Sequence, residues 1–406
     1  MSSAGSPTVD RVLRGNLCSG CGLCAGLTRS PMVVEDPGFN RPRIATQVSS
    51  EAEAAIAGSC PGAIVAPWGT APHRHEYWGP YLELRTGHAA DERLRHRASS
   101  GGALSALLVH ALDEKLVDAV VEVAPDPARP TGNVITISAT AEDIFEGAGS
   151  RYAPSSPLSG VLELLERTDR LAFVGKPCDV SALRLLGRHD ARVVKRFPLM
   201  LSFFCAGIPS LERSDAVVRE LGLSPSRLQS FRYRGEGWPG ETSAISQDGE
   251  EKRMTYADSW GGVLSKEVQF RCKICPDAVG GAADLVCADA WHCDDGGYPV
   301  FDDLPGRSLI IPRTPAGASV LEDAVRFGAV RLDEGEVQPF EIDRMQPGQT
   351  RKKSLVQARH AALRLLFRPV PVMQNLDVRE ASARASMTDK ARNFLGMIRR
   401  VAAGRM

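Results

Sequence analysis

The sequence predicts an α/β (α+β) chain in two parts, a small cysteine-loop domain followed by a larger region built on a mixed sheet. Three observations predict it. Cys18, Cys21 and Cys24 stand three residues apart, and Cys60 follows directly before Pro61. From Tyr81 onward, short apolar runs alternate with segments of helical period. Between the two lies a linker punctuated by Pro67, Gly69, Pro72, Gly79 and Pro80.

Residues 1–72 are predicted as a ferredoxin-like 4Fe-4S domain. A cube needs thiolates converging from several directions, and a C-x2-C-x2-C loop supplies three while a distant Cys-Pro closes the site. Gly20 and Gly22 let the loop fold around it. The competing reading is structural zinc, but zinc favours paired knuckles over three cysteines in one loop. Between the loop and Cys60, 32–35 and 43–46 read as a hairpin around Pro37-Gly38, and 51–57 as helix.

The totals narrow the function classes. A chain of 406 residues has room for two or three domains. Its net charge of zero argues against nucleic acid as the main partner. Ten cysteines are too few for a disulfide scaffold of this size, and three C-x2-C spacings point to metal or redox work in a reducing compartment. Residues 1–16 lack an apolar signal-peptide core, and no run reaches the roughly 20 apolar residues of a transmembrane segment. The expected location is cytoplasmic.

Strands are predicted at 81–86, 118–124, 171–175, 199–204, 284–289 and 307–312, with antiparallel strands at 231–234, 242–246 and 252–256. Helices are predicted at 103–115, 158–167, 180–186, 211–221 and 318–327. Ser99-Ser100-Gly101-Gly102 opens the first of these, either as an anion site of free N–H groups or as a plain N-cap. Gly149-Ser150-Arg151-Tyr152 offers Arg151 to a phosphate and Tyr152 to a flat ring, or is an ordinary surface loop. Cys178, after Lys176-Pro177, and Cys205 fall at the ends of two successive strands, the edge where α/β sheets bind ligands. The glycine-rich turn 235–240, with Trp238, is a candidate ligand cover. Residues 346–406 read as a basic helical tail, either packed on its own domain or touching a membrane or partner.

Six cysteines remain, and spacing leaves two groupings open. Cys272, Cys275, Cys287 and Cys293 make a local zinc-like set, slightly favoured by locality. Cys178, Cys205, Cys272 and Cys275 make a set across the sheet edge.

Taken in order, the Cys18–Cys24 loop, Cys60-Pro61, Ser99-Ser100-Gly101-Gly102, Gly149-Ser150-Arg151-Tyr152, Gly175-Lys176-Pro177-Cys178, Phe204-Cys205-Ala206-Gly207, Cys272-Lys273-Ile274-Cys275 and the 283–291 stretch resemble the coenzyme F420 hydrogenase/dehydrogenase beta-subunit family, which includes 7-hydroxymethyl chlorophyll a reductase. The resemblance covers about residues 16–345. It implies FAD, lined by Ser99, Ser100, Gly101, Gly102, Ser150, Arg151, Tyr152 and Lys176. It also implies a second 4Fe-4S cluster on Cys178, Cys205, Cys272 and Cys275, in a flavin-binding domain whose parts are 80–160 and 161–345. Cys287 departs from the family's usual glycine, and Cys293 is extra.

The expected function is an iron–sulfur flavoprotein oxidoreductase. It relays electrons between an external ferredoxin-like carrier, the clusters and FAD, with hydride transfer to or from an unidentified substrate. No segment commits the chain to coenzyme F420, which stands as one candidate. Lys176 and Asp289 are the candidate catalytic residues, each with an ordinary structural alternative, and His292 is a weaker acid/base candidate. The rival readings are a non-catalytic electron-transfer subunit of a redox complex and a zinc-stabilised binding protein. A homo-oligomer or redox complex is the expected assembly.

Overall fold

The computed structural model describes residues 5–69, 71–294, 300 and 302–405, so residues 1–4 of the N-terminal stretch lie outside it. Before the main sheet come the hairpin β1 (Met32–Glu35) and β2 (Phe39–Pro42), the short β3 (Ile64–Val65), and a second hairpin of β4 (His73–His75) and β5 (Gly79–Tyr81). The main sheet uses β6 (Arg85–Ala89), β7 (Ala119–Asp126), β8 (Arg129–Ser138), β9 (Leu171–Gly175) and β10 (Leu199–Phe203). A separate meander follows in β11 (Leu228–Arg232), β12 (Thr242–Ser246) and β13 (Glu251–Met254). The sheet is completed by β14 (Leu285–Asp289), β15 (Ser308–Pro312) and β16 (Val330–Leu332), and β17 (Val372–Met373) lies in the tail.

The eight-stranded sheet has the order β16-β6-β15-β14-β10-β9-β7-β8 and is mixed, as expected. Its centre, β7, β9, β10 and β14, is parallel, and antiparallel strands flank it on both sides. The parallel strands read as unbroken apolar runs because both faces are covered. Alternate residues divide between the faces. Val120, Ala172, Val174, Leu201 and Cys287 pack toward the Ala103–Asp113 and Pro315–Arg326 helices. Val121, Phe173, Met200 and Val286 pack toward the Val161–Glu166 and Pro177–Leu186 helices, where Cys21, Leu23 and Ala55 of the N-terminal domain join them. Burying each such Leu, Val or Phe contributes about 1.5–3 kcal/mol.

Two expectations change, and one of two alternatives is selected for the tail. The strand placed at 81–86 begins at Arg85; residues 79–81 pair with His73–His75 instead. The strand continues through Gly87, where a Cβ would meet Arg331 O at 2.3 Å, so a weak strand former marks a close backbone approach. The linker is built into the core: Trp78 is fully buried, stacks on Phe204 at 5.7 Å and donates to Asp343 Oδ1 at 3.0 Å. The tail packs on its own chain, with β17 pairing parallel to β3 and Leu363 and Met397 in the core beside Cys18. The sequence reading omitted β8, the ten-residue partner of β7.

Candidate functional site

The outer thiols come from a loop and a helix end. Gly20 and Gly22 both take positive φ, and Gly22 caps the short Leu23–Leu27 helix that carries Cys24. A Cβ at Gly22 would fall 2.7 Å from Ser159 N, so the loop lies tight against the sheet domain. Leu158 N–H donates to Cys21 O at 2.9 Å and fixes that approach. Cys60 ends the Ser50–Ser59 helix. Burial and then Cys18 push the Cys60 thiol up to about 11. Burial and then Cys60 push Cys21 and Cys24 higher. Burial therefore disfavours ionisation of Cys21, Cys24 and Cys60 unless cations accompany them.

The inner thiols assemble from three places in the fold. Cys178 opens the helix after β9, Cys205 follows β10, and Cys272 and Cys275 flank the end of the Phe270–Lys273 helix. All four line one small cavity, with Ser19, Arg271 and Lys352. Burial and then Cys272 push Cys205 up to about 12. Cys287 and Cys293 do not join them. Cys287 faces the opposite side of the sheet from the Cys178 helix, and burial alone raises its thiol. Cys293 is half-buried beside Arg344 and Asp294.

A single tetrahedral ion at Zn–S of about 2.3 Å would hold its sulfurs about 3.8 Å apart. No group of three or more His, Cys, Asp or Glu among the described residues is gathered that way. Two sets of four thiols match the donor number and type that a 4Fe-4S cube takes. Arg271 joins the sets. It is 2% exposed, its Nη2 donates to Pro61 O at 2.9 Å beside Cys60, and its Nη1 has no partner among the described residues. Burial opposes the Arg271 charge, but Cys275, Cys178 and Cys272 outweigh it.

A second cavity, of about 300 Å³, runs along the C-terminal rim of the parallel strands. It passes Glu122 of β7, Gly175 and Lys176 after β9, Cys205 after β10 and Asp289 of β14. Three strand spacings make that rim about 14 Å wide. Cys205, Gly207 and Ile208 line both cavities, so the inner thiols and the larger cavity share a wall.

Ser99, Ser100, Gly102, Ser150, Arg151, Tyr152, Lys176 and Asp289 line the large cavity, while Gly101 lies against Ser308 N, 2.6 Å from where its Cβ would be. Ser99 and Ser150 join the two predicted loops through hydroxyls 2.6 Å apart. Three of these side chains are also engaged within the protein. Arg151 is not held out for a phosphate: its guanidinium donates to Asn133 Oδ1 and to the carbonyls of Phe231, Pro130 and Gly132, over the Tyr233 ring. Lys176 is no free base, being buried with Asp179 at 2.7 Å and Ser155 at 2.7 Å. Burial opposes its charge, but Asp179 and Cys178 hold it up. Asp289 is no free acid, since Arg234 grips both its oxygens at 2.8 and 2.7 Å and Trp238 Nε1 donates at 2.9 Å. His292 is exposed at the edge of Trp238.

Sequence reading missed the wall these residues share. Arg234 lies over the rings of Tyr256 and Trp291, 4.8 Å from each, and Trp291 stacks on Trp238 at 4.7 Å. Only the aromatic content of 238–291 hinted at it. Glu122 was hidden among the apolar residues of β7. Burial pushes its carboxyl up to about 7, with Ser138 Oγ donating at 2.6 Å. Gln346 and Gln349 of the tail also line the cavity.

Two family models match this framework. The model for the N-terminal part of the coenzyme F420 hydrogenase/dehydrogenase beta subunit matches residues 85–163, and the model for its C-terminal part matches residues 168–338. The beta subunit of a coenzyme F420 hydrogenase from Methanococcus voltae is 25% identical over 306 residues, 72% of this chain and 99% of its own. The beta subunit of an F420-dependent formate dehydrogenase from Methanocaldococcus jannaschii is 30% identical over 261 residues, 63% of this chain and 62% of its own. A chain of the F420-reducing [NiFe] hydrogenase complex from Methanosarcina barkeri shares the fold, at a TM-score of 0.56 and 22% identity over 75% of this chain and 99% of that one. The curated relatives are subunits of redox enzymes, and no described helix here is long and apolar enough to cross a membrane. With both halves of the sheet domain matched in order, the chain belongs to the coenzyme F420 hydrogenase/dehydrogenase beta-subunit family.

Proposed function

We propose that the protein is an iron–sulfur flavoprotein oxidoreductase subunit that exchanges single electrons with a ferredoxin-like carrier and hydride with a small substrate. The observation that carries this reading is the wall shared through Cys205, which sets a thiol site against the larger cavity along the strand rim. Cys18, Cys21, Cys24 and Cys60 would hold an outer 4Fe-4S cluster, in a ferredoxin-like domain. Cys178, Cys205, Cys272 and Cys275 would hold an inner one. Ser99, Ser100, Gly102, Ser150 and Tyr152 would line FAD. When bound, a flavin supplies the exchange between hydride and single-electron chemistry that the clusters lack.

This chain's own residues position and insulate. Lys176 and Asp179 form a buried, net-neutral ion pair under the rim. Arg234, Asp289, Trp238 and Trp291 form a bonded wall that excludes water from one end of the cavity. Arg271 stabilises negative charge on both thiol sets. The relatives' names make coenzyme F420 the first substrate to try.

Anaerobically purified protein should show a flavin band over broad iron–sulfur absorption, with about eight iron atoms per chain. A colourless protein with stoichiometric zinc overturns the reading. Turnover with reduced F420, monitored by its absorbance, separates an enzyme for that substrate from a subunit that only passes electrons.

A further inference from the structure

The tail is one-sidedly charged. Residues 346–406 carry thirteen Lys and Arg against three Asp and Glu, in a chain whose net charge is zero. The matched family regions end at residue 338, so the family does not account for it. Its Pro347–Leu365 helix, of 19 residues, is about 28 Å long. That helix lies across both thiol sets. At its start, Gln349 and Lys352 donate to Cys205 O, and Lys353 donates to Pro276 O. Midway, Arg359 donates to Lys273 O and His360 meets Ile274 O. Near its end, Ala362 and Leu363 pack with Cys18 and Phe270. The terminal Met387–Ala402 helix joins it through Met397, and Arg359 donates to Asn393 Oδ1.

What faces outward is basic, with apolar tips. Arg351, Arg364 and Arg399 are exposed. Like charges crowd there: after burial, Arg351 and Arg400 are what weigh on the Arg359 guanidinium. Phe367 is 96% exposed, and Leu365 and Leu395 are more than half exposed. Apolar anchors within a charged rim are the anatomy of a protein interface. An acidic partner relieves the crowding and is steered to the patch.

We propose that the outer face of this tail is the docking site of an acidic one-electron carrier protein. In the encounter one electron leaves the reduced carrier for the iron–sulfur site beneath the helix, and no bond is made or broken. The proposal rests on the two-cluster reading above. The charge asymmetry selects an acidic protein, and the position of the helix over both thiol sets makes the approach short.

The test uses the holoprotein and a reduced, acidic 4Fe-4S ferredoxin as probe. Binding is measured by calorimetry, and cluster reduction by stopped flow, across a salt series. Affinity and second-order rate should both fall with salt. The triple variant Arg351→Glu, Arg364→Glu, Arg399→Glu should lower the low-salt rate roughly ten-fold, with iron content and reduction by dithionite unchanged. A variant with wild-type ferredoxin rates, or a salt-independent rate, overturns the proposal. So does tighter binding, lost in the same variant, to phosphatidylserine vesicles or to duplex DNA. Salt-dependent ferredoxin binding by a protein that holds no iron would support the docking site while sinking the cluster reading, so the two failures are distinguishable.

Discussion

The two thiol sets solve the same problem by different means. The outer set is local: three of its cysteines lie on one seven-residue stretch, and two positive-φ glycines bend it into place. The inner set is topological: its members span Cys178 to Cys275, with Cys178 and Cys205 brought together by the parallel neighbours β9 and β10 and Cys272 and Cys275 supplied at the Phe270–Lys273 helix. A local site needs little of the fold. A topological site shares walls with whatever else the sheet edge holds, and here Cys205 is such a wall. The difference separates a port that can fail alone from a centre whose loss spreads.

The sharpest way to break this contrast is to remove one ligand from each set. Cys21→Ser should lower iron from about eight to about four atoms per chain while flavin content is kept. Cys272→Ser should remove the other four and also lower flavin content, because that site adjoins the large cavity. Iron and flavin assays on both variants decide it. Equal flavin retention would mean that the two sites are independent.

The next effect concerns the same rim. Asp289 is the counter-charge of Arg234, which is 2% exposed among aromatic rings. Asp289→Ala leaves that guanidinium buried and unpaired, at a cost of about 3–5 kcal/mol in denaturant unfolding. A free catalytic carboxylate would instead leave stability unchanged and alter only turnover.

This contrast also decides what could be read in advance. The outer set was legible because thiol spacing on one loop is written in consecutive residues. The alternating strands and helices gave the sheet, and with it the placement of Cys178 and Cys205 at neighbouring strand ends. Spacing alone leaned toward Cys287 and Cys293, because it cannot see that alternation turns Cys287 to the other face. Family resemblance supplied the grouping that the fold assembles. The side-chain roles of Arg151, Lys176 and Asp289 were illegible for another reason. Their partners Asn133, Asp179 and Arg234 decide whether a charge is offered to a ligand or spent inside the protein, and two of those pairs are remote in sequence.

Glu122 extends the test to the far end of the rim. Its carboxyl is raised from 4.5 to about 7, by burial above all. A raised acid destabilises the fold only when ionised. The penalty is absent below pH 4.5, grows as pH rises, and is complete above pH 7, at up to about 3 kcal/mol. Glu122→Gln should therefore match the wild type in acid and exceed it in stability at about pH 8. Urea midpoints across that range check the sign. A gap that widens toward acid instead would mean that Glu122 is held ionised by a partner.

The smallest expected effect tests the grouping itself. Cys287 packs among Leu201, Leu285 and Ile310, and no neighbouring charge moves its thiol. Cys287→Ala should leave iron at about eight atoms per chain and cost about 1 kcal/mol of stability. Loss of iron in this variant, as in Cys272→Ser, would transfer the inner site to the local grouping, which also contains Cys272. The shared wall at Cys205 would then have to be reread as a packing contact between two unrelated cavities. Because Cys287 also lines the large cavity, a small change in flavin affinity without iron loss fits the cross-sheet set. Iron content is therefore the measurement that discriminates, and flavin content is its control.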